Sequence, residues 1–256
     1  MAEEKRQFPT EVIDLPSKGW FYPEDNPLSS GQLEIKYMTA REEDILTSVN
    51  LIKKGLVIDM LLQSLIVDQN INYKDILIGD KNAIMVASRI LGYGKEYIVD
   101  IDDDSGETES VTIDLTALKD KEIDFSKFER GKNEFSFTLP NSKRELTFKF
   151  LTSGDEDEIE KELKSLSKLK NPIDPEMTTR LKRRITSVDG NSDQSNINKF
   201  VDNEFLSVDS LAFRDHISSI TPDVDMNYSY VSSIDGEVKE ITVPVTVQFF
   251  WPDTRK

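Results

Sequence analysis

Leu33-Glu34-Ile35-Lys36-Tyr37-Met38-Thr39-Ala40-Arg41-Glu42-Glu43-Asp44 decides how this chain is read, because a second copy follows it. Leu146-Thr147-Phe148-Lys149-Phe150-Leu151-Thr152-Ser153-Gly154-Asp155-Glu156-Asp157 aligns with it at one constant offset. Leu, Lys, Thr, Glu and Asp coincide, and Tyr37 matches Phe150. Each copy is preceded by a Leu-Pro dipeptide, Leu15-Pro16-Ser17 and Leu139-Pro140-Asn141. Apolar residues alternate with polar ones and then give way to a helix start, so each copy reads as a strand entering a helix. A repeated unit without a catalytic residue points to a scaffold or adaptor before it points to an enzyme.

Outward from the first copy, Pro9, Pro16, Pro23 and Pro27 exclude helix and predict extended structure to residue 38. Thr39 and Glu42 form a capping box, and Ile45, Leu46, Val49 and Ile52 make the apolar stripe of a helix closed by Lys53-Lys54-Gly55. Further helices are expected from Val57 to Ile66 and from after Asp80 to Leu91. A hairpin follows, one arm at Tyr97 to Asp100 and the other through Val111, Ile113 and Leu115.

The second half repeats this order. Phe135 and Phe137 read as a strand, and Ser153 with Glu156 as a second capping box for a helix to about Lys170, broken by Pro172 and Pro175. A basic helix is expected from Met177 to Ser187, a mobile loop over 189–196, and a helix from Asp209 to Ile220. A last hairpin turns at Asp235-Gly236, and Val243, Val245, Val247 and Phe249 would share one face of a closing strand. The expected class is α+β, with two related halves (1–122 and 123–256), each a small antiparallel sheet or hairpin packed with helices.

Charge and composition narrow the function. The formal net charge of −16 disfavours sequence-independent contact with nucleic-acid phosphates. The absence of cysteine excludes disulfides, thiolate zinc sites and cysteine nucleophiles. The stretch Leu56 to Val67 is too short to span a bilayer, and Met1 to Phe8 lacks the apolar segment of a secretory signal. A soluble intracellular protein without stable membrane insertion is expected.

No motif assembles a catalytic or cofactor site. Asp100 to Gly106 fails the register of a calcium loop, since the sixth position is Ser105 and the twelfth Val111, so a solvated hairpin turn is the better reading. Gly92-Tyr93-Gly94-Lys95 lacks the spacing of a phosphate loop. His216, the only histidine, has no partner motif. Neither a metal nor a cofactor is expected. The candidate protein-binding residues are the aromatic clusters Trp20, Phe21, Tyr22 and Phe250, Trp251, together with the basic run Arg180, Arg183, Arg184. Trp, Tyr and Arg are favoured interface anchors. The plainer reading of the basic run is a solvated helix face; the sharper one is a docking face for an acidic surface, the chain's own stretch from Asp155 to Glu160 included.

Leu15-Pro16-Ser17-Lys18-Gly19, Tyr22, Gly31 and Leu33-Glu34-Ile35 with the Thr39 box resemble the N-terminal signature of baseplate-hub assembly proteins of T-even-type myophages. Phe249-Phe250-Trp251-Pro252-Asp253 is similar to the C-terminus of the same family. The resemblance implies a non-enzymatic protein, either an assembly chaperone or a hub component of the contractile tail. Its partners would be other phage baseplate or hub proteins, met in the host cytoplasm, with a place in the virion tail open. The alternatives are a permanent structural subunit and, as a third class, a hydrolase using paired carboxylates. Many members carry CxxC knuckles near Tyr93 to Asp114 and Tyr228 to Val245; this chain has no cysteine, so packing alone would hold both hairpins.

Overall fold

The computed structural model describes residues 8–102, 108–168 and 175–250. The fold is α+β, built from small antiparallel sheets and helices. In the first half, β1 (Thr10–Asp14) pairs antiparallel with β2 (Gln32–Lys36). Then come α1 (Ala40–Leu46), α2 (Val49–Lys54), α3 (Val57–Leu65) and α4 (Ile78–Tyr93). The hairpin of β3 (Glu96–Asp102) and β4 (Thr108–Asp114) closes the half; its acidic turn, 103–107, lies outside the described residues. A short β5 (Lys119–Asp120) leads out.

The second half runs through β6 (Phe135–Thr138), β7 (Glu145–Phe148), α5 (Ser153–Ser167) and α6 (Glu176–Arg184). It continues with β8 (Ile185–Val188), α7 (Gln194–Asn203), α8 (Ser207–Ile220) and β9 (Val224–Asp225). The hairpin of β10 (Asn227–Val231) and β11 (Val238–Thr242) ends the regular structure.

The halves share a strand pair, a capped helix, a nine-residue helix, a later helix and a closing hairpin, while α2 and α7 have no α-helical counterpart. Thr39 and Thr152 are both N-caps with reciprocal capping boxes, to Glu42 and Asp155. Lys36 reaches Glu42 at 2.8 Å, and Lys149 reaches Asp155 at 2.8 Å. Ile35 of β2 bridges Ile66, and the equivalent Phe148 of β7 pairs with Ile185. Each of those isoleucines directly follows a helix of nine residues, α3 or α6. Leu15 and Leu139, both fully buried, each donate a backbone N–H across the Leu-Pro turn, to Gly31 and Arg144. Within each turn a lysine adopts left-handed backbone, Lys18 at φ 51° and Lys143 at φ 59°. The first-half turn holds an insertion, residues 19–30, that the second half lacks.

Several expectations are corrected. The second capping box uses Thr152 and Asp155, one residue earlier than Ser153 and Glu156, because Thr152 is the residue with extended backbone. The helix after Thr39 breaks at Thr47–Ser48, which leaves Val49 and Ile52 exposed. Asp80 lies inside α4 and not before it. The basic helix ends at Arg184, and Ile185 enters β8. The segment 189–196 is a hydrogen-bonded turn followed by α7, not a free loop: Asp189 accepts from Glu145 N–H (2.9 Å) and Arg144 (2.7 Å), and Asp193 caps α7. The closing strand ends at Thr242, and Val247–Phe250 form a 3-10 turn.

One continuous apolar core serves both halves. β5 pairs with β9 across the boundary, and the inserted Phe21 sits among Phe128, Phe135 and Phe150 with ring centroids 5.1–5.6 Å away. The edge-to-face angles of 70–82° suit aromatic quadrupoles.

Candidate functional site

The sequence's candidate residues are mostly absorbed by the fold. Phe21 is 2% exposed, Tyr22 3% and Phe250 0%, so none is an exposed anchor. Phe250 was expected on the outer face of a strand; in a 3-10 turn, neighbouring residues can both face inward, and Phe249 and Phe250 do so. Trp251 lies outside the described residues. Trp20 is half-buried; its indole donates to the Phe128 carbonyl (3.1 Å) and Arg130 stacks on its ring (5.5 Å). The basic run docks on the chain's own α5, where Arg180 pairs with Glu156 and Arg183 with Glu158 at 2.6 Å; Arg180 also pairs with Glu176 of its own helix. Arg184 is different, since its buried Nη1 has no hydrogen-bond partner among the described residues.

Two buried aspartates organise the repeat. Asp80, at the third position of α4, accepts from the Ser17 N–H (2.9 Å), the Ser17 hydroxyl (2.7 Å) and the Tyr22 hydroxyl (2.6 Å). Tyr22 in turn accepts from the Leu77 N–H (2.9 Å). Asp209, at the third position of α8, accepts from the N–H groups of Asn141 (2.8 Å) and Ser142 (3.0 Å). Burial holds the Asp80 carboxyl above its ordinary range despite its donors. At Asp209, burial also pushes upward, but the two backbone N–H groups outweigh it and the carboxyl is lowered. These clusters are structural clamps, and the sequence reading did not single them out. The signal was available as an acidic residue three places into each of two helices that follow a leucine.

The two helix starts differ in what covers them. Leu77 caps α4 without a side-chain hydrogen bond; instead the Ile78 N–H donates to the Leu151 carbonyl (3.1 Å), and Ser153 N–H donates back to Ile76 (2.8 Å). The second half's strand-to-helix turn thus seals the first turn of α4, leaving Leu77 4% exposed. Leu206 caps α8 in the same backbone conformation, also without a side-chain bond. No such turn covers it among the described residues, and Leu206, Val208 and Leu211 are 50%, 54% and 51% exposed. They form an apolar face on a rigid element.

His216 stacks on Phe137 (centroids 4.6 Å apart), and burial lowers its pKa. No group of three or more metal-ligating side chains occurs among the described residues, and no helix there is long and apolar enough to cross a membrane. Comparison with family models, curated proteins and solved structures finds no match to this chain.

Proposed function

We propose that this chain is an assembly protein of the baseplate hub in a contractile phage tail, acting by protein–protein contact and not by catalysis. The family assignment rests on the Leu15 to Glu42 signature and the Phe249 to Asp253 cluster. The observation that supports a binding role is the bare first turn of α8, whose counterpart on α4 is covered by a strand-to-helix turn. The occupant would be a similar turn from another hub component, offering a carbonyl to the Ser207 N–H and an apolar side chain to Val208 and Leu211. In a second copy of this chain, the corresponding turn at Leu151–Ser153 is already bonded to that copy's own α4.

The test is Val208→Glu combined with Leu211→Glu. Both positions are exposed, so the melting temperature should stay within a few degrees of wild type, while assembly of sedimenting baseplates in infected cells should fall sharply. Normal assembly by the folded double variant would remove the reading. Protein composition of purified virions separates an assembly chaperone from a permanent subunit.

A further inference from the structure

Arg180 and Arg184 occupy positions that are apolar core in the other half. In the alignment of α3 with α6, they fall where Leu61 and Leu65 stand, both fully buried. The change follows from what lies beyond the helix. In the second half this face borders a pocket of about 190 Å³ between the halves, walled by Arg180, Arg184, Phe150, Leu77, Gly79 and Pro222.

Two cations, Arg180 and Arg184, and two carboxylates, Glu156 and Asp223, line the pocket, but Arg184 hydrogen-bonds to neither carboxylate. Glu156 also lines it, but its carboxylate accepts from Arg180, which is held by Glu176 as well. Asp223 lines it too, and accepts from the Asn82 amide (2.8 Å) and its own neighbour's N–H. The Arg184 guanidinium remains, with Nη1 buried and without a partner among the described residues. Burial lowers its pKa to about 10, still well above neutrality, so it stays charged. A buried cation without a hydrogen-bonding counter-charge is costly, and leucine at the equivalent position shows that the fold does not require one. The first turn of α4, whose dipole is positive at this end, forms the facing wall.

We infer that this pocket binds a small oxyanion, phosphate or carboxylate, with Arg184 as its principal ligand and Arg180 beside it. The volume suits an ion of that size, and a guanidinium presents paired N–H donors to two oxygens. A bound anion would also tie the two halves together, because Leu77 and Gly79 belong to one and Arg184 to the other.

The experiment is thermal melting of the full chain in sodium phosphate, sodium acetate and sodium chloride at matched ionic strength. Phosphate at roughly tenfold its dissociation constant should raise the melting temperature by about 3 °C over chloride. A matching rise with acetate would identify carboxylate as a sufficient ligand. Arg184→Leu, which restores the first-half residue, should abolish the response while melting no lower than wild type in chloride. Phosphorus NMR titration of wild type reads binding without any variant, as line broadening of inorganic phosphate. The proposal fails if phosphate and acetate give no rise over chloride, if the phosphate resonance does not broaden, or if Arg184→Leu responds like wild type.

Discussion

Asp80 and Asp209 grip equivalent Leu-Pro turns from equivalent helix positions, yet their carboxyls are displaced in opposite directions. Both are fully buried: Asp80 meets two hydroxyls and one backbone N–H, and Asp209 meets two backbone N–H groups and the Asn141 amide (3.3 Å). At Asp80 burial outweighs the donors and at Asp209 the donors outweigh burial; Tyr22, itself pushed upward by burial and by Asp80, keeps its proton and donates a hydrogen bond to the carboxylate.

Asp80→Ala should therefore be the more damaging of the two changes. It strands the Ser17 N–H, the Ser17 hydroxyl and the Tyr22 hydroxyl, for a loss of about 3 kcal/mol or more. Asp209→Ala strands two backbone N–H groups and the Asn141 amide, but Asn141 is exposed and water can replace the lost acceptor there, so the cost should be smaller. Urea unfolding of both variants checks the order.

Gly79 lies where the first turn of α4 meets, through backbone, the Pro222–Asp223 segment that follows α8. Gly79→Ala brings a Cβ against the Pro222 carbonyl and should cost about 1–3 kcal/mol by forced separation. Val208→Ala, at the matching position of the exposed face, should change stability little. A single chemical-denaturation series containing both tests the contrast.

Glu42 sets an acid limit. Burial works to raise its pKa, but hydrogen bonds from Lys36 and Thr39 outweigh that and lower it from 4.5 to about 2. A folded-state pKa below the unfolded one means stabilisation present in full above pH 4.5 and lost as pH falls toward about 2. Glu42→Gln should be less stable than wild type at pH 7, with the gap closing across that window. Melts from pH 7 to 2 measure it.

The doubling of the fold was legible because it rests on local rules: alternation in Leu33, Ile35 and Tyr37 and in Leu146, Phe148 and Phe150, each followed by a capping box, although the second box was read one residue late. α7 was missed because Asp189 to Asn196 has turn composition, although Ile197, Phe200 and Val201 already have helical spacing and are buried. The closing strand was overextended because Val243 to Phe249 alternate. Pro244 has no N–H for a ladder, and the chain turns so that Phe249 and Phe250 both enter the core. The α8 face could not be read at all, since Leu206, Val208 and Leu211 look like ordinary core residues until the covering turn on α4 is seen.

The first half should not be separable. A fragment of residues 1–122 leaves Phe21 without Phe128, Phe135 and Phe150, Ile78 without its acceptor, and β5 without β9. Circular dichroism and urea titration of that fragment should show no cooperative transition; a sharp one would mean that the half is a domain in its own right.

The insertion that delivers Phe21 also imposes an order on synthesis. Phe21 leaves the ribosome well over a hundred residues before Phe150, and Gly79 before Pro222, so the amino-terminal half must wait with its aromatic and helix-start surfaces bare. Translation rate and any nascent-chain chaperone then act on this protein through the length of that wait, and synonymous changes between codons 80 and 150 become a way to alter its yield without altering one atom of the finished fold.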